Sequence, residues 1–323
     1  MRRKKLKLRR SAVRIMSALF AISLSMVIFD SLRRDFFKVT NDDKIVVEGE
    51  FASKINPPIP PNTVSFDPKS KPTNTTIAPI KNAGFTDENF SYDRLSHGLL
   101  AIADESGVLS VDNPDKMVNL SEKHNEYYTV EGNNVMLNAE AVEALNQLMK
   151  NYHDVTGLDD FVVYGTTDTY TATDSVCPRY FAERSNGCTI DLALLGPGSY
   201  IDFDGLDAEG WIVENCAKYG FIVRYPEGKS EITGENYCPW HLRYVGRLHA
   251  SVMAQKNLCL EEYIDFLKDY GVDTPYTHTV GATAYVVYSA ESTGVTTPVK
   301  IPINSIYDWS GDNRGTYIIS YER

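Results

Sequence analysis

The chain is short of several things, and each shortage excludes something. Its 323 residues include five cysteines, Cys177, Cys188, Cys216, Cys238 and Cys259, and no C-x-x-C pair. A zinc ribbon and a thioredoxin-like redox motif are therefore out. An odd count also leaves at least one thiol outside any disulfide. No internal repeat is evident, which excludes a solenoid or propeller. Strand and helix patterns do not alternate regularly, so the expected class is α+β rather than a doubly wound sheet. Positive charge is scarce beyond Arg34: residues 1–34 carry ten Lys/Arg and one acid, so the remainder has a net charge of −20 within a total of −11. Such an acidic body excludes nucleic acid as a partner, because phosphate binding needs a basic face.

The basic residues are concentrated at the N-terminus, in "MRRKKLKLRR" followed by "SAVRIMSALFAISLSMVIF". The apolar run of about eighteen residues is long enough to span a bilayer as a helix. The preceding basic cluster should stay in the cytoplasm. No small-x-small cleavage site follows cleanly, so the expectation is a signal anchor over 12–29 behind a cytoplasmic tail, 1–11, with a cleaved signal peptide as the alternative. The localisation this implies is the cell membrane, single-pass, with the body outside the cytoplasm. Residues 30–90 include "KINPPIPPNTVSFDPKSKPTNTTIAPIKNAG", rich in Pro, Asn, Thr and Lys and without apolar period. That composition reads as a flexible extracytoplasmic linker.

Order is expected from about Ser91, with a main domain over 91–273. "GLLAIAD" reads as a short strand. "LNAEAVEALNQLMKNYHDVTG" places Ala141, Val142, Leu145, Leu148 and Met149 at helical spacing behind a candidate N-cap, Asn138. "FVVYG", "CTIDLALL", "FIVRYP" and "HLRYVG" read as strands, "AEGWIVENCAKYG" and "LEEYIDFLKDYG" as helices stopped by glycine. From about Thr274 the pattern changes to short alternating strands, "TAYVVYSA", "VKIPI" and "TYIISYE". The expectation there is a small β appendage, 274–323.

The stretch "NYCPWHLRYVG", Asn236 to Gly246, carries a histidine, His241, between a tryptophan and a strand. Fifty residues earlier Asp191 lies inside a strand. Zinc hydrolases use two or three His/Asp/Glu ligands, an open position for water and a carboxylate to take its proton. An Asp and a His alone do not establish such a site. The wider run does more: "GWIVENCAKYGFIVRYPEGKSEITGENYCPWHLRYVGRLHA", followed by "NLCLEEYIDFL", closely resembles the VanY-type D-alanyl-D-alanine carboxypeptidases. The likeness covers roughly 95–270.

The resemblance implies a small α+β domain with a central antiparallel sheet and a zinc site that trims the terminal D-Ala from peptidoglycan stem peptides. It assigns the family's C-terminal zinc histidine to His241 and its zinc aspartate to Asp191. The family motif S-x-H-x-x-G-x-A-x-D reads "AERSNGCTID" here, so Gly187 and Asp191 remain. Ala182, Arg184 and Thr189 replace the serine, the zinc histidine and the alanine. The catalytic glutamate's position is Cys238. The arginine that holds the substrate carboxylate is replaced by Thr167. The resemblance also assigns Trp240 and Arg243, with Thr167 and Arg184, to the substrate cleft.

These departures are chemically serious. A guanidinium is neither a metal ligand nor a base. Loss of a general base removes about 10²–10⁴ in rate. Cys238 could serve zinc as a thiolate ligand beside His241 and Asp191, or pair with His241 as a nucleophile. Glu183 and Glu235 could be imagined as substitute bases, although strand alternation would turn Glu183 away. Arg184 could also pair with Asp191 and take over the role of the metal's charge. Trp240, Tyr244 and Val245 as core residues, with Arg224 and Arg243 as buried ion-pair partners, would explain the motif without activity.

Three readings follow. One is a membrane-anchored homologue that has lost catalysis and binds a stem peptide or a cell-wall protein. Another is a working zinc D,D-carboxypeptidase. The last is a structural scaffold acting through 274–323.

Overall fold

The computed structural model describes residues 84–103, 116–164, 183 and 186–323, together with the backbone of a short antiparallel pair, β1 (Lys38–Val39) and β2 (Ile45–Val46). The expected anchor, 12–29, lies outside the described residues, as does most of the 30–90 linker. Among the described residues no helix is long and apolar enough to cross a membrane. Residues 76–323 form one compact unit, separate from 1–75.

A six-stranded sheet forms the centre of that unit. Its strands are β5 (Thr129–Glu131), β7 (Phe161–Tyr164), β8 (Thr189–Leu195), β9 (Tyr200–Asp202), β10 (Phe221–Val223) and β11 (His241–Tyr244), in the order β10-β11-β8-β7-β5 with β9 paired to β8. Pairing is antiparallel, as the resemblance implies, except that β5 runs parallel to β7. A short pair, β4 (Met117–Asn119) with β6 (Met136–Asn138), leads into the long helix α1 (Ala139–Thr156). Asn138 is its N-cap: the side chain accepts from the Glu140 amide at 2.8 Å, satisfying one of the orphan donors of the first turn. Gly157 closes α1 in the left-handed conformation. Ala141, Val142, Leu145, Leu148 and Met149 are all buried and pack with Phe161, Val163, Ile190 and Leu192 on one face of the sheet.

"AEGWIVENCAKYG" folds as a helix, α2 (Trp211–Asn215), continued by a 3₁₀ turn, Cys216–Tyr219, and ended by Gly220 at φ +91°. A Cβ at Gly220 would lie 3.0 Å from the Arg247 amide, so the position needs glycine for space as well as conformation. Helices α3 (Arg247–Lys256) and α4 (Leu260–Leu267) follow β11. The helix α4 ends at Lys268, before the glycine expected to stop it.

Two expectations need correction. "GLLAIAD" is not a strand. It turns at Gly98–Leu100 and continues as irregular backbone beside Arg243, which donates to the Leu99 and Ala101 carbonyls, while the Ser310 hydroxyl and the Asp312 carbonyl accept from the Leu100 and Ile102 amides. It is held by isolated hydrogen bonds rather than by a ladder. Order also begins earlier than Ser91: β3 (Phe85–Ser91) pairs along its length with β14 (Thr296–Pro302). That partner lies about two hundred residues away, and local composition carries no trace of it.

The C-terminal segment is β as expected. Its sheet has the order β12 (Tyr276–Val280), β13 (Thr283–Glu291), β16 (Thr316–Glu322), β15 (Tyr307–Gly311). It is also part of the interior. Val286, Tyr288, Tyr317, Ile319 and Tyr321 face Phe90, Leu95 and Val299, whereas Val287 and Ile318 face Leu100, Ile102, Leu248, Leu260 and Ile264. Alternation thus buries both faces of this sheet, one against the β3–β14 ribbon and one against α3 and α4.

Removing 274–323 would strip Val287 and Ile318 from the middle core and leave β3 without a partner. A chain ending at Asp273 is therefore expected to lose cooperative thermal unfolding by circular dichroism. Ile318→Ala in the intact chain should cost about 3 kcal/mol, from the lost methyl groups and the cavity left behind, measured by denaturant unfolding.

Candidate functional site

The sheet brings Asp191 and His241 together. They are Cα partners across β8 and β11, and His241 Nδ1 meets Asp191 Oδ1 at 2.7 Å. His241 is fully buried and Asp191 nearly so. The Tyr225 ring stacks on the imidazole, with centroids 5.5 Å apart and planes 11° from parallel. Gly187 opens the turn into β8 at φ +71°, where a Cβ would run into the Met117 side chain. The left-handed backbone there favours glycine and accounts for its retention without a role in chemistry.

Beneath the pair lies a buried ion network. Glu183 Oε1 accepts from Arg224 Nε at 2.6 Å and from Arg243 Nη1 at 3.0 Å, and Glu183 Oε2 stands 3.7 Å from His241 Nε2. Arg224 also forms a two-pronged pair with Glu261 on α4, at 3.0 and 2.7 Å. Glu183, Arg224, Arg243 and Glu261 are all buried. Burial works against the Glu183 carboxylate, but the Arg224 and Arg243 guanidiniums outweigh it and hold the carboxyl well below the usual range. Burial likewise opposes the Arg224 charge, and Glu183 with Glu261 reverses the effect, keeping its pKa well above normal.

Arg224 and Arg243 are thus the buried pairing residues the sequence suggested. Arg243 is correspondingly not a cleft residue: it is completely buried and spends its donors on Glu183 and two carbonyls. Trp240 is half-buried against the main core. Cys238 is also half-buried. Its Sγ donates to the Asn236 carbonyl at 3.3 Å, and its backbone bonds Tyr225 and His241. Thr167 and Arg184 lie outside the described residues, and so does the expected Arg184–Asp191 pair. Cys216 and Cys259 carry free thiols.

Glu183 was expected to point away from the site and instead points into it. The alternation rule fails because Glu183 precedes β8 and has helical backbone rather than strand geometry. Glu261 and Tyr225 went unrecognised. A signal for Glu261 existed: two arginines in apolar strands demand buried carboxylates, and Glu261 occupies an inward position of "LEEYIDFL".

Among the described residues the donor set does not complete a catalytic zinc site. Such a site takes three protein ligands and keeps a position open. Asp191 and His241 are hydrogen-bonded to each other, the Cys238 thiol is turned to a carbonyl, and among the described residues no three His, Cys, Asp or Glu side chains converge as a metal site.

The ion network should dominate stability in this region. Arg224→Met strands two buried carboxylates and is expected to cost about 3–5 kcal/mol in denaturant unfolding. The depressed Glu183 pKa gives a definite sign with pH. The stabilisation it represents is present above the unfolded value of about 4.3 and is lost as pH falls below it. Glu183→Gln should therefore be less stable at pH 7 but show a flatter loss of melting temperature below pH 4.

Comparison with known proteins places this arrangement. Residues 181–247 match the family model described as "VanY: D-alanyl-D-alanine carboxypeptidase". A D-alanyl-D-alanine carboxypeptidase of Enterococcus faecium is 32% identical over 63% of this chain and 68% of its own. A D-alanyl-D-alanine carboxypeptidase of Enterococcus faecalis is 45% identical over 22% of this chain and 28% of its own. Among solved structures, the vancomycin-resistance D,D-dipeptidase VanXYg, in complex with a D-Ala-D-Ala phosphinate analog, superposes with a TM-score of 0.62 at 22% identity, over 74% of this chain and all of that one. That last likeness concerns the fold. With a buried Asp191–His241 pair on a shared sheet and a relative matched over two thirds of its length, this chain belongs to the VanY D-alanyl-D-alanine carboxypeptidase family.

Proposed function

We propose that this protein is a non-hydrolysing member of the VanY family that binds D-Ala-terminated stem peptides of peptidoglycan outside the cytoplasm. The observation that carries the reading is the Asp191–His241 hydrogen bond at 2.7 Å. It ties the two surviving ligand positions to each other, and a thiol, Cys238, stands where the family resemblance assigns the general base. A thiol does not take a water proton in the way a glutamate does. The buried shell, by contrast, is retained: Glu183 pairs with Arg224 and Arg243, and Arg224 with Glu261, which supports a kept architecture around the pair. The basic N-terminus and the apolar run behind it support placement at the membrane with the body outside.

The test joins metal content with hydrolysis. The purified chain, dialysed against trace zinc, is expected to hold far less than one zinc per chain by elemental mass spectrometry and to release no D-Ala from a D-Ala-D-Ala-terminated peptide. The double substitution Arg184→His with Cys238→Glu should raise zinc towards one per chain. Adding Thr167→Arg should then yield measurable D-Ala release. Stoichiometric zinc and D-Ala release by the unaltered chain would defeat the reading.

A further inference from the structure

A cavity that includes neither Asp191 nor His241 lies where the 3₁₀ turn after β3, Tyr92–Ser96, faces the loop between β15 and β16. Its volume is about 320 Å³. That is the small end of the range for small-molecule sites, roughly 300–1,000 Å³. Tyr92, Asp93 and Leu95 line one wall, Asn313 and Arg314 the other. Hydrogen bonds fix both walls. The Asn313 amide donates to the Leu95 carbonyl at 2.7 Å, and the Gly311 amide to the His97 carbonyl at 2.8 Å. Asp312 Oδ1 accepts from the Arg314 and Thr316 amides at 2.7 and 2.8 Å, and Asn313 Nδ2 donates to the Ile102 carbonyl at 3.0 Å. The space between the walls is therefore preformed.

The walls carry opposite charges that do not close on each other. Asp93 is exposed, and its hydrogen bond with Ser91 holds the carboxyl below its usual range, so it stays ionised. Its neighbour Arg94 is already committed to Glu88 at 2.9 Å and lies over the Phe90 ring. Arg314 is exposed, and its guanidinium has no carboxylate or hydrogen-bond partner among the described residues. Apolar surface adjoins these charges. Tyr92 is 62% exposed, and its amide bonds the carbonyl of Val295, itself 85% exposed. Leu95 gives the same wall a buried apolar side chain.

We propose that this cavity binds a free α-amino acid with an apolar side chain, its carboxylate at Arg314, its ammonium at Asp93 and its side chain against Tyr92 and Leu95. A guanidinium receives a carboxylate in a two-pronged fork. A ligand with a single charge meets attraction from one wall and repulsion from the other, so the pair of walls selects a zwitterion. The apolar side chain gains by covering Tyr92, whose ring is otherwise left to water. The volume suits one residue rather than a length of peptide. None of these residues belongs to the Asp191–His241 site, so the inference stands whichever way the stem-peptide reading falls.

The experiment titrates the full-length chain with phenylalanine, each enantiomer in turn, by ligand-observed NMR. Two derivatives serve as comparisons: N-acetyl-phenylalanine, which lacks the ammonium, and phenylalaninamide, which lacks the carboxylate. At least one enantiomer is expected to bind saturably, and each derivative about fivefold more weakly, as the loss of one exposed charge pair predicts. Asp93→Asn should weaken phenylalanine by a similar factor and leave N-acetyl-phenylalanine no weaker. Arg314→Gln should weaken phenylalanine and leave phenylalaninamide no weaker. Both positions are exposed, so neither substitution threatens the fold. A D-Ala-D-Ala-terminated peptide should not displace the amino acid. Absence of saturable binding by both enantiomers would overturn the inference. So would derivatives that bind as tightly as phenylalanine, or binding that both variants leave unchanged. Displacement by the peptide would move the site to the Asp191–His241 region and overturn the assignment to this cavity.

Discussion

The geometry around the site depends on one buried carboxylate. Glu183 joins Arg224 and Arg243, and through them it fixes the ends of β10 and β11, the first turn of α4 and the segment at Leu99–Ala101. A lone charge in such an interior would neutralise itself or unfold its surroundings. Here each charge is tolerable only because the others are in place. The network is therefore a geometric device more than a source of net stability. Hydrophobic side chains of similar shape could fill the volume, but they would not set the imidazole of His241 opposite Asp191.

The proposed loss of chemistry need not cost the domain its form, because the positions that the resemblance assigns to ligand, base and substrate clamp are single side chains. The guanidinium–carboxylate shell lies one layer deeper, and its members depend on one another. The residues matched by the family model, 181–247, include Glu183, Arg224 and Arg243 of this deeper layer and the strands beside them. Similarity of that kind reports on architecture more directly than on turnover.

Much of this was readable in the residues themselves. The α1 helix announced itself through five apolar positions and an Asn cap, and β7, β8, β11 and β13 through short apolar or alternating runs. Asp191 and His241 were nominated by resemblance, and the register of β8 and β11 brought them together. What escaped was non-local. The partnership of β3 with β14 depends on residues at opposite ends of the unit. The inward turn of Glu183 depends on a helical backbone just ahead of a strand. The role of 274–323 as a shared layer needed the opposite face of β13 and β16 to be seen packed against α3 and α4. Local periodicity gives an element and its buried face, but not the identity of what covers that face.

The pairing of β3 with β14 has a mechanical side. β3 is held by seven cross-strand partners on β14, beginning at the Phe85–Pro302 end. Tension arriving along the N-terminal chain is thus borne first by that ribbon. It can open partner by partner from Phe85 inward while the Glu183 network, far along the sequence, stays shut. The ribbon is thus a joint that can yield at its Phe85 end without disturbing the Asp191–His241 pair.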